Sequence, residues 1–323
     1  MGRHVSCAMA AASILMTITS AQAADWPTQP VKVIVPYSAG GGTDTVARAI
    51  SHRLSEKWGQ NVFVENRDGA GTAVGTEAVI RSPADGYTLL FSDASSFGIN
   101  PHVNPKLRFD PRKDLEPAAL AVHLAPVLAV ANEVPANNLA EFIAYGKANP
   151  GKLTYASPGV GTYTHIAMEY FRHEAKLDMV HVPYRGSSPA MTDLLASRVS
   201  SYMVTYSVFD AYEKDKKLKI LATATKDRLP LRPDLPAIGE QLPGYSIDVW
   251  FGFAAPTGTP AAILDQIHKD VQEIVDSADF KTRFLQPQSY VGGNMSRAAF
   301  KTKVAEDYEK WGRLVKLAGA QQQ

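Results

Sequence analysis

The chain has 323 residues, of which 45% are hydrophobic, and its 33 Lys and Arg nearly balance 32 Asp and Glu. This length allows two domains of ordinary size, and the hydrophobic fraction excludes a disordered chain. A net charge of +1 argues against electrostatically driven binding to nucleic acid or to an anionic membrane.

The first 23 residues are predicted to be a signal peptide. Arg3 and His4 precede an apolar stretch at residues 5–18, and residues 21–23 read Ala-Gln-Ala, the pattern of a cleavage site. The apolar stretch is shorter than the ~20 residues that a membrane-spanning helix needs. We therefore expect cleavage after Ala23 and export to the periplasm. The single cysteine, Cys7, would leave with this segment, and the mature chain would have no thiol.

The next part of the chain alternates predicted strands and helices. An apolar run at residues 31–35 predicts a buried strand, and a Gly-rich turn at residues 38–42 follows it. A helix is predicted from about Thr43, because apolar residues then recur every fourth position. Further strands are predicted at residues 61–65 and 87–91. Alternation of this kind indicates a parallel sheet with helices on its faces.

A second set of elements begins near residue 125. Helices are predicted at residues 139–148 and from about Thr162, and two amphipathic helices at residues 260–277 and 297–318. The predicted strands of this set are residues 126–131, 153–156, 180–184, 199–206, 218–225 and 250–255.

Two Gly-rich turns, at residues 35–44 and 155–162, share one pattern of strand, turn and helix start. Glycines let the backbone approach a ligand closely, and Thr43 and Thr162 are placed as helix N-caps. Free amides at the positive end of a helix favour a carboxylate or a phosphate. Either turn alone could equally be an ordinary capped turn, but the occurrence of two in separate halves favours binding.

Motifs for catalysis and for nucleotide binding are absent from the sequence. Neither turn has the Gly spacing of a nucleotide-binding loop, and there is no nucleophile elbow or zinc-protease motif. The histidines lack close metal-ligand spacing. We therefore expect no enzyme activity, no metal and no cofactor.

Several polar residues allow both a binding and a purely structural interpretation. His165 follows the second turn, where its ring could donate a hydrogen bond to an anion or merely cap the helix. Arg185 could pair with a ligand carboxylate or lie on a solvated rim. Asp44 and Asp193 are expected near helix starts, where a favourable interaction with the helix dipole is the simpler interpretation.

Aromatic residues flank the expected cleft. Most of them are expected to pack in the core or at the hinge, and the alternative is a pocket that stacks on an aromatic ligand. These residues are Tyr37, Phe97, Tyr163, Tyr206 and Phe209.

With these motifs in order, the chain resembles the periplasmic solute receptors of tripartite tricarboxylate transporters, the Bug receptor family. Any one match is short, but the matches extend over essentially the whole mature chain. They include the Pro-Tyr and Gly-Gly-Gly-Thr-Asp residues of the first turn and the Val-Pro-Tyr-Arg-Gly segment at residues 182–186. The other matches lie at residues 26–30, 64–71, 85–90, 100–102, 159–165, 193–195, 250–256 and 259–260.

The resemblance implies a two-lobed α/β receptor of the Venus-flytrap type, with two mostly parallel sheets flanked by helices. Lobe 1 would comprise residues 24–124 and 252–323, and lobe 2 residues 125–251, with hinge crossovers near 124 and 251. The resemblance also implies a monomer that closes on a small organic acid. The closed form would dock on a membrane permease of the tripartite type, or on a sensor.

In this family the second-lobe turn and helix start grip one carboxylate, and the first-lobe turn approaches the other end of the ligand. Transferred to this chain together with the neighbouring polar and aromatic residues, the predicted ligand-binding set is Tyr37, Ser38, Gly41, Gly42, Thr43, Asp44, Ser92, Ser95, Phe97, Ser157, Gly159, Val160, Gly161, Thr162, Tyr163, His165, Arg185 and Thr205.

The chain departs from the family pattern in two places. Val204 stands where many relatives carry an acid, which should disfavour ligands with an amino group. Residues 93–97 are bulkier and more polar than expected. We predict a receptor for a carboxylate, most simply an aliphatic or aromatic dicarboxylate. The alternatives are a sensory receptor, or an exported enzyme acting on a carboxylic acid, for which the sequence offers no catalytic set.

Overall fold

The computed structural model describes residues 26–229 and 232–320, so the predicted signal peptide lies outside the described residues. Within them, two lobes are each built on a β-sheet with helices on its faces, and the predicted two-lobed α/β architecture is confirmed. None of the helices in these ranges has the length and apolar character needed to cross a membrane.

The strands, in chain order, are β1 (Val31–Val35), β2 (Val62–Asn66), β3 (Thr88–Ser92), β4 (Leu115–Leu124), β5 (Pro126–Ala131), β6 (Leu153–Ser157), β7 (Met179–Pro183), β8 (Ser201–Thr205), β9 (Leu218–Thr223), β10 (Val249–Pro256) and β11 (Val291–Gly292). The sheet of lobe 1 has the order β11-β4-β10-β3-β1-β2, and that of lobe 2 has the order β7-β6-β8-β5-β9.

The helices are α1 (Gly42–Trp58), α2 (Ala73–Ile80), α3 (Asn100–Val103), α4 (Pro111–Asp114), α5 (Leu139–Ala148), α6 (Tyr163–Ala175), α7 (Ser187–Leu195), α8 (Asp210–Lys214), α9 (Ile238–Gln241), α10 (Ala261–Asp276), α11 (Ala278–Phe280) and α12 (Arg297–Leu317). The two long amphipathic helices begin and end within one residue of their predicted bounds. Helix α2 and strand β4 were not predicted.

Both sheets are mixed, which corrects the expectation of mostly parallel sheets. Strand β1 pairs in parallel with β2 and β3, and β6 pairs in parallel with β7 and β8. The crossover strands are antiparallel to their neighbours because the chain leaves lobe 1 along β4 and returns beside it along β10. Residues 249–251 pair with β4, so this sheet includes three residues that the sequence-based boundary assigned to lobe 2.

Helices α1 and α6 both begin at the carboxyl end of a parallel strand, and this arrangement positions the cleft. Thr162 caps α6, since its Oγ1 accepts a hydrogen bond from the backbone N–H of His165. Helix α1 begins after Gly41, which has no side chain to cap it, and Thr43, predicted as the N-cap, is the second residue of the helix. The first amides of α1 are therefore left for other partners.

Candidate ligand-binding cleft

The two lobes touch along the cleft between them. Ser188 Oγ of lobe 2 donates to the carbonyl oxygen of Ala39 at 3.0 Å, and Thr205 Oγ1 lies 3.0 Å from Tyr290 Oη of lobe 1. These contacts join the turn after β1, the start of α7 and the end of β8. The structure therefore has its two lobes closed on each other.

Two adjacent cavities lie in this cleft and share Tyr37 and Pro158. The larger has a volume of about 340 Å³, and the smaller, of about 10 Å³, holds roughly one water molecule. The larger cavity is lined by Pro36, Tyr37, Asp68, Gly69, Ala70, Gly71, Thr72, Asn100, Val103, Asn104, Pro158, Gly159, Val160, Thr162, Tyr184, Arg185 and Gly186. The smaller is lined by Tyr37, Gly41, Gly42, Thr43, Pro158, Tyr163, Thr164, Ser187, Val204 and Thr205.

Helix N-termini from opposite lobes meet at the smaller cavity. Gly42 and Thr43 of α1 face Thr164 of α6 across it. Within residues 26–229 and 232–320, the backbone amides of these three residues have no hydrogen-bond partner. The positive dipole ends of two helices, of 17 and 13 residues, therefore point into one space and favour a negatively charged group there.

The larger cavity carries one charge of each sign among its lining residues, on Asp68 and Arg185. Arg185 is exposed and forms no ion pair with the residues that the structure describes. A guanidinium group in this position can bind a carboxylate through two parallel hydrogen bonds.

A buried polar group supports the first-lobe side of the cleft. Tyr37 Oη donates to Asp93 Oδ2 at 2.7 Å and lies 2.9 Å from Ser95 Oγ. Burial raises the pKa of Asp93 to about 6, although the hydrogen bonds from Ser95 and Tyr37 act in the opposite direction. Burial, with the nearby charge of Asp93, also raises the pKa of Tyr37 well above its usual value, so the phenol stays neutral.

The second-lobe turn is held by its own side chains. Thr162 Oγ1 donates to the carbonyl oxygen of Gly159 at 2.7 Å, and Ser157 Oγ lies 2.7 Å from His181 Nε2. Gly159 and Gly161 have φ values of 143° and 84°, which favour glycine. The turn therefore keeps a conformation that presents its backbone to the cleft.

Asp44 braces the first-lobe turn from behind. Its carboxylate accepts hydrogen bonds from the Gly40 amide at 3.0 Å, from Asn66 Nδ2 at 2.8 Å and from Arg48 Nε. These bonds keep the pKa of Asp44 below its ordinary value although burial acts to raise it. Asp44 therefore stays ionised and fixes the turn without lining either cavity.

The structure brings ten of the predicted residues to the cavities. They are Tyr37, Gly41, Gly42, Thr43, Gly159, Val160, Thr162, Tyr163, Arg185 and Thr205. The other eight lie in the adjoining turns or behind them: Ser38, Asp44, Ser92, Ser95, Phe97, Ser157, Gly161 and His165.

Phe97 does not flank the cleft, contrary to expectation. It is 1% exposed, and its ring packs 5.4 Å from that of Trp250 in the core of lobe 1. Ser92 is also buried, and its hydroxyl bonds to Ser96 Oγ at 2.7 Å. Ser92 ends β3 and Phe97 lies five residues beyond it, so the ring is stabilised by core packing and the hydroxyl by its bond to Ser96, and neither needs a ligand.

His165 lies beneath the second turn instead of facing an anion. Its Nδ1 accepts a hydrogen bond from the Gly161 amide at 3.4 Å, and its ring stacks on His181. Burial is the main cause that lowers the pKa of His165 to about 4, with the charge of Arg172 adding to it. The neutral ring therefore supports the turn.

The other two aromatic candidates also lie outside the two cavities. Tyr206 Oη bonds to the carboxylates of Asp210 and Glu213, and Phe209 is buried against Tyr202. Asp193 was expected near a helix start but lies in the last turn of α7, where it accepts a hydrogen bond from Tyr184 Oη at 2.7 Å.

A third turn at the cleft, residues 68–72, was not predicted to be part of the site, nor were Asn100 and Asn104. Asn100 Nδ2 donates to the carbonyl oxygens of Ala70 and Gly71, at 2.7 Å each, and so fixes the turn. The position of this turn could have been predicted from the strand order, since β1 and β2 are parallel neighbours. Turns that follow neighbouring parallel strands lie side by side at the carboxyl edge of a sheet.

Comparison with known proteins agrees with this architecture. The model of the family described as "Tripartite tricarboxylate transporter family receptor" matches residues 46–320. The chain belongs to this receptor family. Two solved structures from Rhodopseudomonas palustris are similar to it. One, Rpa4515 with adipate, is 30% identical with a TM-score of 0.88 and covers 91% of this chain and 99% of its own. The other, MatC with bound malate, is 28% identical with a TM-score of 0.84, covering 90% and 100%.

A third structure, the periplasmic binding protein BugD, is 30% identical with a TM-score of 0.87 and covers 92% of this receptor and 100% of its own chain. These likenesses confirm the resemblance drawn from the motifs. They also place this tripartite tricarboxylate transporter family receptor among two-lobed periplasmic binding proteins.

Proposed function

We propose that this receptor captures a small dicarboxylate between its lobes and delivers it to a membrane permease of the tripartite tricarboxylate type. The observation that carries the proposal is the convergence of α1 and α6, from opposite lobes, on one cavity. The amides of Gly42, Thr43 and Thr164 have no partner among the described residues and face a space for one water molecule, which would bridge them to one carboxylate of a ligand in the larger cavity. The relatives solved with adipate and malate support this class of ligand.

The second carboxylate would lie in the larger cavity beside Arg185, with the amide side chain of Asn104 nearby. Tyr37 and Pro158 line both cavities, so the other carboxylate can lie in the larger cavity next to the water-sized space. Hydrogen bonds to charged groups contribute about 1.5–3 kcal/mol each. Several of them would offset an association cost of about 4 kcal/mol or more and give micromolar binding.

The same cleft favours an acid without an amino group. Val204, at the end of β8, is 3% exposed and lines the smaller cavity with an apolar surface. An ammonium group at this end of the larger cavity would lose its hydration and meet the positive ends of two helices. We propose that amino acids are excluded on this ground.

Binding without catalysis is part of the proposal. The residues that line the two cavities, in the part of the chain that the structure describes, include no histidine, lysine or cysteine. Their polar groups are mainly hydrogen-bond donors and hydroxyls. Such a set holds an anion but offers no base next to a nucleophile. We further propose that the receptor acts as a monomer in the periplasm after removal of residues 1–23.

Calorimetric titration of the mature receptor with adipate, malate and aspartate tests the proposal. We expect a dicarboxylate to bind and aspartate to bind at least tenfold more weakly. Arg185→Ala should weaken dicarboxylate binding at least tenfold. Arg81→Ala is the matched control, because Arg81 directly follows α2, is exposed, and has Glu77 as its ion-pair partner among the described residues. Absence of carboxylate binding, preference for the amino acid, or turnover of the ligand would each overturn the proposal.

A further inference from the structure

Three aromatic rings stack beneath the second-lobe turn. Tyr155 of β6 lies 4.8 Å from His181 of β7, with 14° between the ring planes. On the other side of His181, the ring of His165 lies at 4.2 Å and 20°. Tyr155 and His181 are direct partners in the parallel register of β6 and β7, so the sheet itself aligns these two rings. We call these three residues the ring stack.

The ring stack is hydrogen-bonded to both sides of the turn. His181 Nε2 lies 2.7 Å from Ser157 Oγ, which precedes Pro158, and His165 Nδ1 accepts from the Gly161 amide at 3.4 Å. Ser157 Oγ accepts from the Gly159 amide at 3.2 Å and has two possible acceptors for its proton, the Gly159 carbonyl oxygen at 3.2 Å and His181 Nε2 at 2.7 Å, of which His181 is the nearer. The cavity-lining residues 158–160 therefore lie between two fixed points.

Both histidine rings are neutral. Burial lowers the pKa of His165 to about 4 and that of His181 to about 3, and the proximity of His165 adds to the effect at His181. Two imidazolium ions with centres 4.2 Å apart would repel each other. Neutral rings can stack and can each accept a hydrogen bond, which is what the turn requires.

We propose that His181 is a positioning residue for ligand binding: it fixes the second-lobe turn through Ser157 and, through stacking on His165, through Gly161. Neither histidine lines either of the two cleft cavities, so the effect is exerted on the backbone of the turn and not on the ligand. This inference rests on the proposed function, because residues 158–160 of the turn line the larger cavity in which the ligand is proposed to bind.

His181→Phe tests the inference, because phenylalanine keeps a stackable ring but cannot accept the hydrogen bond from Ser157. We expect the affinity for the bound dicarboxylate to fall about five- to twentyfold while the thermal midpoint stays within a few degrees. His181→Gln, which restores an acceptor, should recover part of the affinity. Adding Ser157→Ala to His181→Phe should change the affinity by less than twofold, because the partner is already lost.

Tyr155→Phe is the matched control. It keeps the ring stack and removes only the hydrogen bond from Tyr155 Oη to Glu169, so the affinity should stay unchanged. A second measurement, amide hydrogen exchange of Gly159 and Gly161 in the ligand-free protein, needs no ligand. His181→Phe should speed exchange at both glycines at least fivefold.

The outcomes separate the two proposals. If the wild-type receptor binds no carboxylate, the proposed function fails, and faster exchange in His181→Phe would still support the positioning role. If His181→Phe and His181→Gln bind a dicarboxylate as the wild type does and exchange at the two glycines is unchanged, the positioning role is wrong. If Tyr155→Phe weakens binding as much as His181→Phe, general packing explains the effect and the role is also wrong.

Discussion

The backbone N–H of Tyr163, the first residue of α6, donates a hydrogen bond to Ser95 Oγ of lobe 1 at 2.9 Å. Ser95 begins a wide helical turn, Ser95–Ile99, and is held in place by Tyr37 and Asp93. One of the α6 amides is therefore satisfied by the opposite lobe, while the neighbouring amide of Thr164 faces the smaller cavity. This bond ties closure of the lobes to the same helix end that is proposed to bind the ligand.

Ser95→Ala should weaken closure without unfolding the protein. The substitution leaves the Tyr163 amide without its partner in the closed form, which costs about 1–3 kcal/mol. We expect a five- to hundredfold loss of ligand affinity and a larger radius of gyration by small-angle X-ray scattering. Ser96→Ala is the control, because Ser96 Oγ bonds only within lobe 1, to Ser92 and Thr76. Equal affinities of the two variants would show that the bond does not stabilise closure.

Gly42→Ala should block closure sterically. A Cβ atom at residue 42 would lie 2.7 Å from Thr205 Oγ1 and 3.1 Å from Tyr290 Oη, while alanine is well suited to the first turn of a helix. We expect unchanged or higher thermal stability of the open form and at least a tenfold loss of affinity by calorimetry. Gly41→Ala, whose Cβ would lie 3.3 Å from Ser187 Oγ, should have the smaller effect. A larger effect at residue 41 would contradict this packing.

Asp93→Asn should change the pH dependence of stability. The pKa of the folded carboxyl is about 6, against an ordinary value of 3.8, so the folded state takes up the proton first. Binding of this proton adds to the free energy of unfolding of the protein. The full contribution is present below pH 3.8 and is lost as the pH rises through 6. The unfolding free energy of the wild type relative to the variant should fall by about 3 kcal/mol over that interval. Urea unfolding at several pH values measures this, and a constant difference would contradict it.

Phe97→Ala should cost stability and leave ligand affinity nearly unchanged. The ring fills a core site against Trp250, and removal of a buried phenylalanine costs about 3–5 kcal/mol. Phe97→Leu gives a milder version if the alanine variant does not fold. Denaturant unfolding and calorimetry on the same samples test both halves of the prediction. Loss of affinity for an aromatic dicarboxylate with full stability would restore the idea of an aromatic pocket.

Local features of the site could be read from the sequence. The Gly-rich turns and Thr162 predict the starts of α1 and α6, because a cap residue and a helical repeat are patterns of neighbouring residues in the sequence. The direction of β4 and β10 could not be predicted, since an apolar run reads the same in a parallel and in an antiparallel strand. For this reason the mixed character of the two sheets was not predicted.

Contacts between distant parts of the chain could not be predicted at all. The role of Ser95 depends on Tyr163, 68 residues away and in the other lobe. The same holds for His165, which has an ordinary position on a helix until β7 places His181 beside it. A serine or histidine side chain can contact solvent, a ligand or another side chain, and the tertiary fold determines which of these it contacts.

The absence of cysteine from residues 26–320 makes a covalent clamp feasible. Ala39 and Ser188 meet at the mouth of the cleft, and a pair of cysteines introduced there would have no competing partner in that part of the chain. Oxidation to a disulfide would then hold the receptor in its closed form with or without bound ligand. Binding of both cross-linked forms to the proposed permease would separate recognition of the closed shape from recognition of the ligand.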